Sequence, residues 1–342
     1  MVGSVIPTRD VLLPSVIGGD IGCGVTAVKL PVQASNLKEV LVQLRERLRT
    51  AIPTGAAHNA TVSQRVEENF LWKQNLQCGL VSNRLKRKLV RQFASLGGGN
   101  HFLELQEDSD GVAWLMLHSG SRYLGVLIRD YYIKVGCTLK EVDQQIYRRI
   151  PYLPAGCDLA NAYMDDMRFA LTFARESRKE MMLRALAAVA VHFGSVQETG
   201  TEAITDSMMD VAHNYVVEEE HFGENFFVHR KGAVRAFDSE TVMIPGSMGT
   251  ASYIAEGRGN DFAFCSCSHG AGRAMSRHAA TRNISDKAFQ ESMDGVVHEG
   301  DTRLKDESPP AYKNIHSVMR GQKDLVRIRT ELRLIMSIKG VN

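Results

Sequence analysis

The sequence has little of several features that define common classes of protein. Its net formal charge is only +2 over 342 residues, so it lacks the uniformly basic composition of proteins that coat nucleic acid, although a local basic groove is compatible with this charge. No apolar run approaches the roughly 20 residues that span a bilayer. Residues 1–19 lack the basic and then apolar layout of a signal peptide. We therefore expect a cytoplasmic protein without membrane segments.

Cysteine is scarce and dispersed. The cysteines are Cys23, Cys78, Cys137, Cys157, Cys265 and Cys267. No CxxC pair is present, which argues against a structural zinc ribbon. In a chain of this length the spacing favours reduced thiols over a disulfide framework. Cys265 and Cys267 could be metal ligands, but their alternation with serine is more typical of a strand, and we expect a strand there.

Hydrophobic periodicity predicts helices and strands that mix irregularly along the chain. The hydrophobic fraction of 44% is enough for a large core, in one elaborate domain or two. We predict helices over residues 36–48, 62–76, 123–148, 158–193, 206–220 and in the tail from Tyr312. We predict strands over residues 25–32, 101–106, 112–118 and within 226–256, with 101–106 and 112–118 paired as a hairpin. The fold class is therefore expected to be mixed α/β (α+β).

The candidate metal ligands cluster at the ends of predicted elements, beside glycines. Asp20 and Cys23 are three apart in a turn with four glycines in seven residues, so both can point into one centre. His101 begins one strand of the predicted hairpin and His118 ends the other, while His213 lies on a predicted helix. Carboxylate, thiolate and imidazole ligands together suit Mn, Fe, Co or Zn. A single thiolate among histidines could bridge two metals, although each histidine taken alone is also compatible with a structural or surface role.

His269 lies between small residues, so a ligand can approach its ring closely. Gly270 and Gly272 allow the backbone to come near a phosphate. Residues 271–281 are predicted to form a helix, whose first N–H groups would face the same point as the imidazole. This pattern favours phosphate handling. The simpler interpretation is a glycine-rich turn before a basic surface helix, because short motifs of glycine and histidine are common.

Arginines near these loops are candidate phosphate-binding groups. Arg122 follows His118, and Arg273 and Arg277 lie one turn apart in the predicted helix. Guanidinium groups bind oxyanions with two parallel hydrogen bonds, although ordinary surface salt bridges also explain these residues. The basic segment at residues 83–91 is either a solvated helix face or an RNA-facing patch.

Eight short motifs, in this order along the chain, resemble the RtcB family of RNA-splicing ligases. The motifs are Gly19-Asp20-Ile21-Gly22-Cys23-Gly24, Gly99-Asn100-His101-Phe102, His118-Ser119-Gly120-Ser121-Arg122, His213-Asn214-Tyr215, Arg230-Lys231-Gly232-Ala233, Pro245-Gly246-Ser247-Met248-Gly249, Ser268-His269-Gly270-Ala271-Gly272-Arg273 and Ile338-Lys339-Gly340. The resemblance implies a single large RtcB-like catalytic domain over residues 1–342, with central sheets flanked by helices and a helical insertion at approximately residues 123–200.

The resemblance also implies roles for individual residues. The expected ligands of two Mn²⁺ ions are Asp20, Cys23, His101, His118 and His213, with Cys23 as the bridging thiolate. His269 matches the histidine that becomes guanylylated, beside Gly270 and Gly272. The residues expected around the guanine nucleotide are Asn100, Glu104, Ser247, Ser252, Tyr312 and Lys339. Arg122 and Arg277 fall where family members bind the RNA phosphate.

The implied activity is a GTP- and Mn²⁺-dependent RNA ligase. It would join RNA 2′,3′-cyclic phosphate or 3′-phosphate ends to 5′-hydroxyl ends, in RNA repair or tRNA splicing. Two alternatives stay open at this point: a ligase specialised for one damaged RNA, and a catalytically weak paralogue that binds RNA or nucleotide. Longer members continue upstream of the segment that resembles residues 2–8, so we expect a natural short form, a mis-assigned start or a fragment. The RNA range and catalytic efficiency stay open on this point.

Overall fold

The computed structural model of the chain describes residues 3–79 and 82–341; residues 1, 2 and 342, at the ends of the expected domain, lie outside the described residues. The strands are β1 (Ser4–Thr8), β2 (Val11–Leu12), β3 (Gly24–Gln33), β4 (Phe102–Glu107), β5 (Val112–Ser119), β6 (Leu153–Pro154), β7 (Met209–Ala212), β8 (Asn214–His221), β9 (Glu224–Lys231), β10 (Ala233–Arg235), β11 (Thr241–Ile244), β12 (Ser252–Gly257), β13 (Ser266–Ser268) and β14 (Val326–Ile338). The α-helices are α1 (Pro14–Ile17), α2 (Leu41–Ala51), α3 (Gln64–Glu67), α4 (Asn83–Gln92), α5 (Tyr123–Gly136), α6 (Gln144–Tyr147), α7 (Asp158–Ala190), α8 (Gly194–Thr199), α9 (Thr201–Asp206), α10 (Arg277–Asn283), α11 (Asp286–Ser292) and α12 (Ile315–Gly321).

A seven-stranded sheet in the order β11-β12-β14-β4-β5-β3-β7 forms the centre of this mixed α/β fold. Its register brings separate parts of the sequence to one end. Gly24 lies opposite Ser119 on one side of β3 and opposite Ala212 on the other, and Phe102 lies opposite His118. The residues next to these positions in the chain therefore meet at the same end of the sheet.

Two smaller sheets position the segment around His269. The antiparallel hairpin β8–β9 pairs with β1, and β10 pairs with β13. In the second sheet Ala233 lies opposite Ser268. His269 therefore leaves β13 close to Gly232, the residue that joins β9 to β10.

The long helix α7 packs behind the central sheet and contacts β3 and β5. Tyr163, Phe173 and Met181 of this helix are completely buried in the main core. The sequence favours a helix here because alanine, methionine and leucine lose little side-chain freedom in one, and Sγ of Cys157 accepts a hydrogen bond from the Ala160 amide at its start. No helix among the described residues is long and apolar enough to cross a membrane.

Several sequence predictions are confirmed. The hairpin forms as β4 and β5, the predicted strand at 25–32 lies within β3, and the predicted helix at 158–193 is α7. Cys267 lies in β13, as expected, and Cys265 directly precedes it. Helices α5 to α8 occupy most of residues 123–200, and their status as an insertion in one catalytic domain stays a prediction.

Four secondary-structure predictions are wrong in whole or in part. Residues 206–220, predicted as a helix, form β7 and β8, because they pair with β3 and β9. Residues 62–76 hold only the single turn α3 and a short 3₁₀ turn. The tail is helical only in α12 and then continues as β14, which pairs with β4 and β12. The helix predicted from residue 271 begins at Arg277, because the preceding segment is held by a bridge between Arg273 and Tyr312.

Candidate active site

The predicted metal ligands converge at the end of the central sheet. Sγ of Cys23 lies 3.1 Å from Nε2 of His118 and 3.5 Å from Nε2 of His101. Nε2 of His101 is 3.0 Å from Oδ2 of Asp20, and Nε2 of His118 is 3.2 Å from Nε2 of His213. The atoms form two groups of three, one from Asp20, Cys23 and His101 and one from Cys23, His118 and His213. Cys23 belongs to both groups, so its thiolate could bridge two ions.

Hydrogen bonds to the backbone orient the histidines as ligands. Nδ1 of His101 is 2.8 Å from the Leu96 carbonyl oxygen, and Nδ1 of His118 is 3.0 Å from that of Asn100. In the tautomer that donates Nδ1–H to the carbonyl, each ring has an Nε2 lone pair that can bind a metal ion. Within the described part of the chain, the buried Nδ1 of His213 has no hydrogen-bond partner.

The protonation states of the cluster fit a divalent cation. Burial lowers the pKa of His118 and His213 well below the usual histidine value, so both rings are neutral near pH 7. Burial alone would raise the pKa of Asp20, but the adjacent His101 holds it well below its usual range. Burial and the Asp20 carboxylate raise the pKa of the Cys23 thiol. A bound cation would reverse this last shift, because a coordinating thiol is deprotonated.

The geometry of the cluster also fits a metal ion, because its potential ligand atoms crowd together. Carboxylate, thiol and imidazole atoms of the five residues lie 3.0 to 3.5 Å from their neighbours. A cation between such atoms removes the repulsion between them. The mixed O, N and S set suits a borderline transition metal, whereas Mg²⁺ and Ca²⁺ prefer oxygen ligands.

A buried arginine on α7 holds the two segments that carry these ligands. Nη1 of Arg178 donates hydrogen bonds of 2.8 Å to the carbonyl oxygens of both Gly22 and Ser119. The rest of its guanidinium pairs with Asp210 on β7. Sequence reasoning missed Arg178, because no local signal distinguishes it from the surface arginines of a long helix.

Asn214 holds the turn that contains Asp20. Its Nδ2 donates to the Asp20 carbonyl oxygen at 3.1 Å, and its Oδ1 accepts from the Gly232 amide at 2.8 Å. This side chain therefore connects the metal turn to the β9–β10 junction beside His269. The motif that contains His213 and Asn214 was identified in the sequence, but this role of the asparagine depends on contacts between distant segments.

His269 lies beside the metal cluster with its ring available as a nucleophile. The ring centroids of His269 and His213 are 4.8 Å apart, and the imidazole hydrogen-bonds to the Gly232 backbone. Burial lowers the pKa of His269 to about 4, so the ring is neutral near pH 7. The side chain nevertheless keeps part of its surface accessible. A Cβ atom at Gly270 would lie 2.9 Å from the Pro245 carbonyl oxygen, which explains the glycine there.

His269 and much of the metal cluster border one cavity of about 900 Å³. This volume is in the range of sites that enclose a nucleotide-sized ligand. The predicted residues on its wall are Asp20, Cys23, Asn100, Glu104, His118, His213, Ser247, His269, Gly270, Gly272, Arg277, Tyr312 and Lys339. His101, Arg122 and Ser252 do not line it. Ser252 is buried behind Gln106, whose Nε2 donates to its hydroxyl at 3.1 Å.

Glu104 presents a buried carboxyl group to this cavity. Burial raises its pKa to about 7, against the opposing charge of Lys339. Gln106 donates to one oxygen at 2.8 Å and Ser337 to the other at 3.2 Å. The carboxyl is therefore held in a fixed orientation and can change its charge near neutral pH.

Glu307, which also lines the cavity, is surrounded by cationic side chains. Its carboxylate accepts from Tyr312 at 2.7 Å and lies 2.6 Å from Nη1 of Arg277 and 3.4 Å from Nζ of Lys339. Arg273 also reaches it and donates to the Tyr312 hydroxyl at 3.1 Å. The two arginines converge on this carboxylate although they do not share a helix face. Sequence reasoning missed Glu307, which lies outside the glycine-flanked motifs.

Arg122 lies on the other side of His101, against the glycine loop before β4. Its φ angle is +60°, which is uncommon for a residue with a side chain. Nη1 is 3.3 Å from Nδ1 of His101. Nε is buried and, among the described residues, has no hydrogen-bond partner. This guanidinium therefore keeps unused capacity to bind an anion.

Comparison with known proteins agrees with the motifs. The family model described as tRNA-splicing ligase RtcB matches residues 1–340. The chain is 35% identical to the RNA-splicing ligase RtcB of Escherichia coli K12 over 360 residues, which cover 99% of this chain and 86% of that protein. It is 30% identical to the tRNA-splicing ligase RtcB of Methanococcus maripaludis, over 90% of this chain and 77% of the relative. The RNA-splicing ligase RtcB of Mycobacterium tuberculosis is 28% identical over 98% of this chain. The chain therefore belongs to the RtcB family.

Proposed function

We propose that this chain is an RNA ligase that uses GTP and two Mn²⁺ ions to join RNA 2′,3′-cyclic phosphate or 3′-phosphate ends to 5′-hydroxyl ends. The observation that carries the proposal is the neutral imidazole of His269, 4.8 Å from the ring of His213, on the wall of a cavity of about 900 Å³. Membership of a family whose relatives are named RNA- or tRNA-splicing ligases supports the same activity.

The metal cluster would hold the two ions in its two overlapping groups. Asp20, Cys23 and His101 would bind one ion, and Cys23, His118 and His213 the other. When bound, such ions neutralise phosphate charge and make the phosphorus more susceptible to attack. Arg178 and Asn214 would keep the ligand-bearing turns in place during the reaction.

His269 is the proposed nucleophile. A ring nitrogen attacks the α-phosphorus of GTP, a P–N bond forms, and the bond to the pyrophosphate leaving group breaks. The neutral ring has a lone pair for this attack near pH 7, since its pKa is about 4. The hydrogen bond to the Gly232 backbone would stabilise the positive charge that develops on the imidazole.

The RNA steps follow from the lability of the P–N bond. Water first opens a 2′,3′-cyclic phosphate to a 3′-phosphate. That phosphate takes the guanylyl group from His269 as the P–N bond breaks. The 5′-hydroxyl of the second RNA then attacks the activated 3′-phosphate, so that a phosphodiester forms and GMP leaves. Arg122, whose Nε has no hydrogen-bond partner among the described residues, and Arg277 are proposed to bind the RNA phosphate. Arg277 would exchange its contact with Glu307 for that phosphate.

The remaining cavity residues are proposed to bind the guanine nucleotide. An ionised Glu104 can accept two N–H bonds, and guanine offers neighbouring N–H donors on one edge, whereas adenine has an acceptor at the corresponding ring nitrogen. Lys339 lies 5.5 Å over the Phe102 ring and close to the Asn100 carbonyl oxygen. Asn100, Ser247, Ser252 and Tyr312 complete the proposed nucleotide site, Ser252 through its contact with Gln106.

A ligation assay tests this function. One RNA ending in a 2′,3′-cyclic phosphate and one beginning with a 5′-hydroxyl are incubated with the full chain, Mn²⁺ and GTP. We expect a joined product that requires GTP and is absent with ATP. Failure of pure, folded, Mn²⁺-loaded protein to join these ends, across a panel of RNA sequences, would refute the general ligase. Joining of a single RNA in that panel would instead indicate a specialised repair enzyme.

A further inference from the structure

A second set of metal-binding side chains lies outside the active-site cavity, between the β8–β9 hairpin and the turn before β13. A ring nitrogen of His221, a carboxylate oxygen of Asp261 and Sγ of Cys265 all lie within 4.8 Å of one another. None of these residues lines the cavity. Sγ of Cys265 is 3.7 Å from Oδ1 of Asp261. This distance is close to the about 3.5 Å expected between sulfur and oxygen ligands of one tetrahedral zinc ion.

His221 is oriented as a ligand by a carboxylate behind it. Its Nε2 lies 3.1 Å from Oε2 of Glu219. Glu219 is already neutralised by the buried Arg230, whose Nη1 and Nη2 each lie 2.8 Å from one of its oxygens. In the tautomer that donates Nε2–H to Glu219, His221 has a lone pair on Nδ1 for a metal ion. Histidines that bind metals commonly donate their other N–H to a carboxylate in this way.

The loop that carries the other two ligands is held firmly. The Asn260 carbonyl oxygen accepts from the Cys265 amide at 3.0 Å, and the Phe264 carbonyl oxygen accepts from Arg230 at 3.0 Å. The same arginine therefore anchors both Glu219, behind His221, and the residue before Cys265. Cys265 and His221 are buried, whereas Asp261 is exposed. A site with this arrangement would be open to water on the Asp261 side.

We propose that His221, Asp261 and Cys265 form a further metal site, for a zinc ion or another borderline divalent cation, with water as the fourth ligand. Nitrogen, oxygen and thiolate donors together favour such ions over Mg²⁺ or Ca²⁺. A bound ion would link the tip of the β8–β9 hairpin to the loop at residues 260–265, which displays the exposed Phe262. The site does not depend on the ligase proposal.

Cobalt spectroscopy on the full chain tests the site separately from the catalytic cluster. In a Cys23→Ala background, which removes the active-site thiolate, added Co²⁺ should give a near-ultraviolet thiolate-to-cobalt band. The band should disappear in Cys23→Ala/Cys265→Ser and persist in Cys23→Ala/Cys267→Ser. Cys267 is the matched control, because it is buried two residues away and belongs to none of the ligand groups found among the described residues.

Zinc content provides a second measurement in the chain with Cys23 intact. After zinc loading and dialysis, Cys265→Ser and His221→Gln should each contain about one zinc per chain less than wild type and Cys267→Ser. Circular dichroism establishes that each variant is folded. No thiolate band in folded Cys23→Ala would overturn the proposal. A thiolate band or a zinc content that stays unchanged in Cys265→Ser would also overturn the proposal.

Discussion

The buried guanidinium of Arg178 and the partly buried carboxylate of Asp210 form an ion pair with two parallel hydrogen bonds, 2.6 Å from Nε to Oδ1 and 2.8 Å from Nη2 to Oδ2. The pair fixes the plane of the guanidinium. Nη1 consequently points at the carbonyl oxygens of Gly22 and Ser119, next to Cys23 and His118. A helix that does not itself line the cavity thus helps to set the spacing of two proposed metal ligands.

Arg178→Lys should weaken metal binding without unfolding the chain. Lysine keeps the charge beside Asp210 but cannot make the planar set of bonds to both carbonyls. We expect Mn²⁺ affinity to fall about 10- to 100-fold, which is typical when a residue that orients metal ligands is replaced. Isothermal titration calorimetry measures the change. Arg168→Lys is the control and should have almost no effect, because Arg168 forms an exposed ion pair with Asp165 on the same helix. Equal Mn²⁺ affinities in Arg178→Lys and Arg168→Lys would contradict the positioning role of Arg178.

Cys23→Ala should remove both Mn²⁺ ions, whereas His101→Ala should remove one. The reason is that Cys23 belongs to both groups of ligands and His101 to only one of them. Mn²⁺ stoichiometry, measured by electron paramagnetic resonance of the free ion, distinguishes the variants. His278→Ala, at an exposed position on α10, should bind as wild type does. Retention of both ions by folded Cys23→Ala would rule out a bridging thiolate.

Glu104→Gln should weaken GTP binding and reduce discrimination against ATP. The amide puts an N–H donor where the carboxylate accepts, and a lost hydrogen bond to a charged group costs about 1.5–3 kcal/mol, or roughly 10- to 150-fold in Kd. Competition binding with GTP and ATP measures both effects. Glu107→Gln, on the same strand and paired with Arg333, is the control. Unchanged GTP affinity in Glu104→Gln would exclude Glu104 from the nucleotide site.

Protonation of His229 should make the fold less stable in mild acid. Burial lowers the pKa of this histidine from 6.5 to about 4, and its Nε2 accepts a hydrogen bond from the Leu13 amide at 2.9 Å. Since the folded pKa is below the unfolded one, the stabilisation is complete above pH 6.5 and declines as the pH falls towards 4. At pH 5 this group alone should lower the free energy of unfolding by about 2 kcal/mol relative to pH 7.

Urea unfolding of metal-free protein at pH 7 and pH 5 measures this loss. His229→Gln keeps an oxygen that can accept from Leu13 but has no titrating group. The difference in stability between the two pH values should therefore shrink by about 2 kcal/mol in this variant. An unchanged difference would show that His229 does not contribute to the acid sensitivity.

The sequence was most informative where chemistry and local pattern coincide. The β4–β5 hairpin is predictable because two strand-like segments are separated by a short turn, and it brings His101 and His118 together. Glycines beside Asp20 and Cys23, and close to His101 and His118, mark most of the site in the sequence, whereas His213 has no glycine near it. The cavity also contains most of the nucleotide-site residues implied by the family motifs.

The features that the sequence did not predict depend on contacts between distant segments. The strand nature of residues 209–221 was missed, because methionine and glutamate favour helices in isolation while β7 pairs with β3, about 185 residues earlier in the chain. Glu307 becomes part of the site only because Arg277, Tyr312 and Lys339 converge on it. Such convergence has no signature in the local sequence.

The most direct test of the ligase proposal is mass spectrometry of the chain after incubation with GTP and Mn²⁺, without RNA. We predict one covalent guanylyl group per chain, mapped to His269, absent in His269→Ala and retained in His278→Ala. In wild type, addition of RNA with a 3′-phosphate should discharge the adduct. No adduct on folded, Mn²⁺-loaded protein, or an adduct that survives in His269→Ala, would contradict the proposed mechanism.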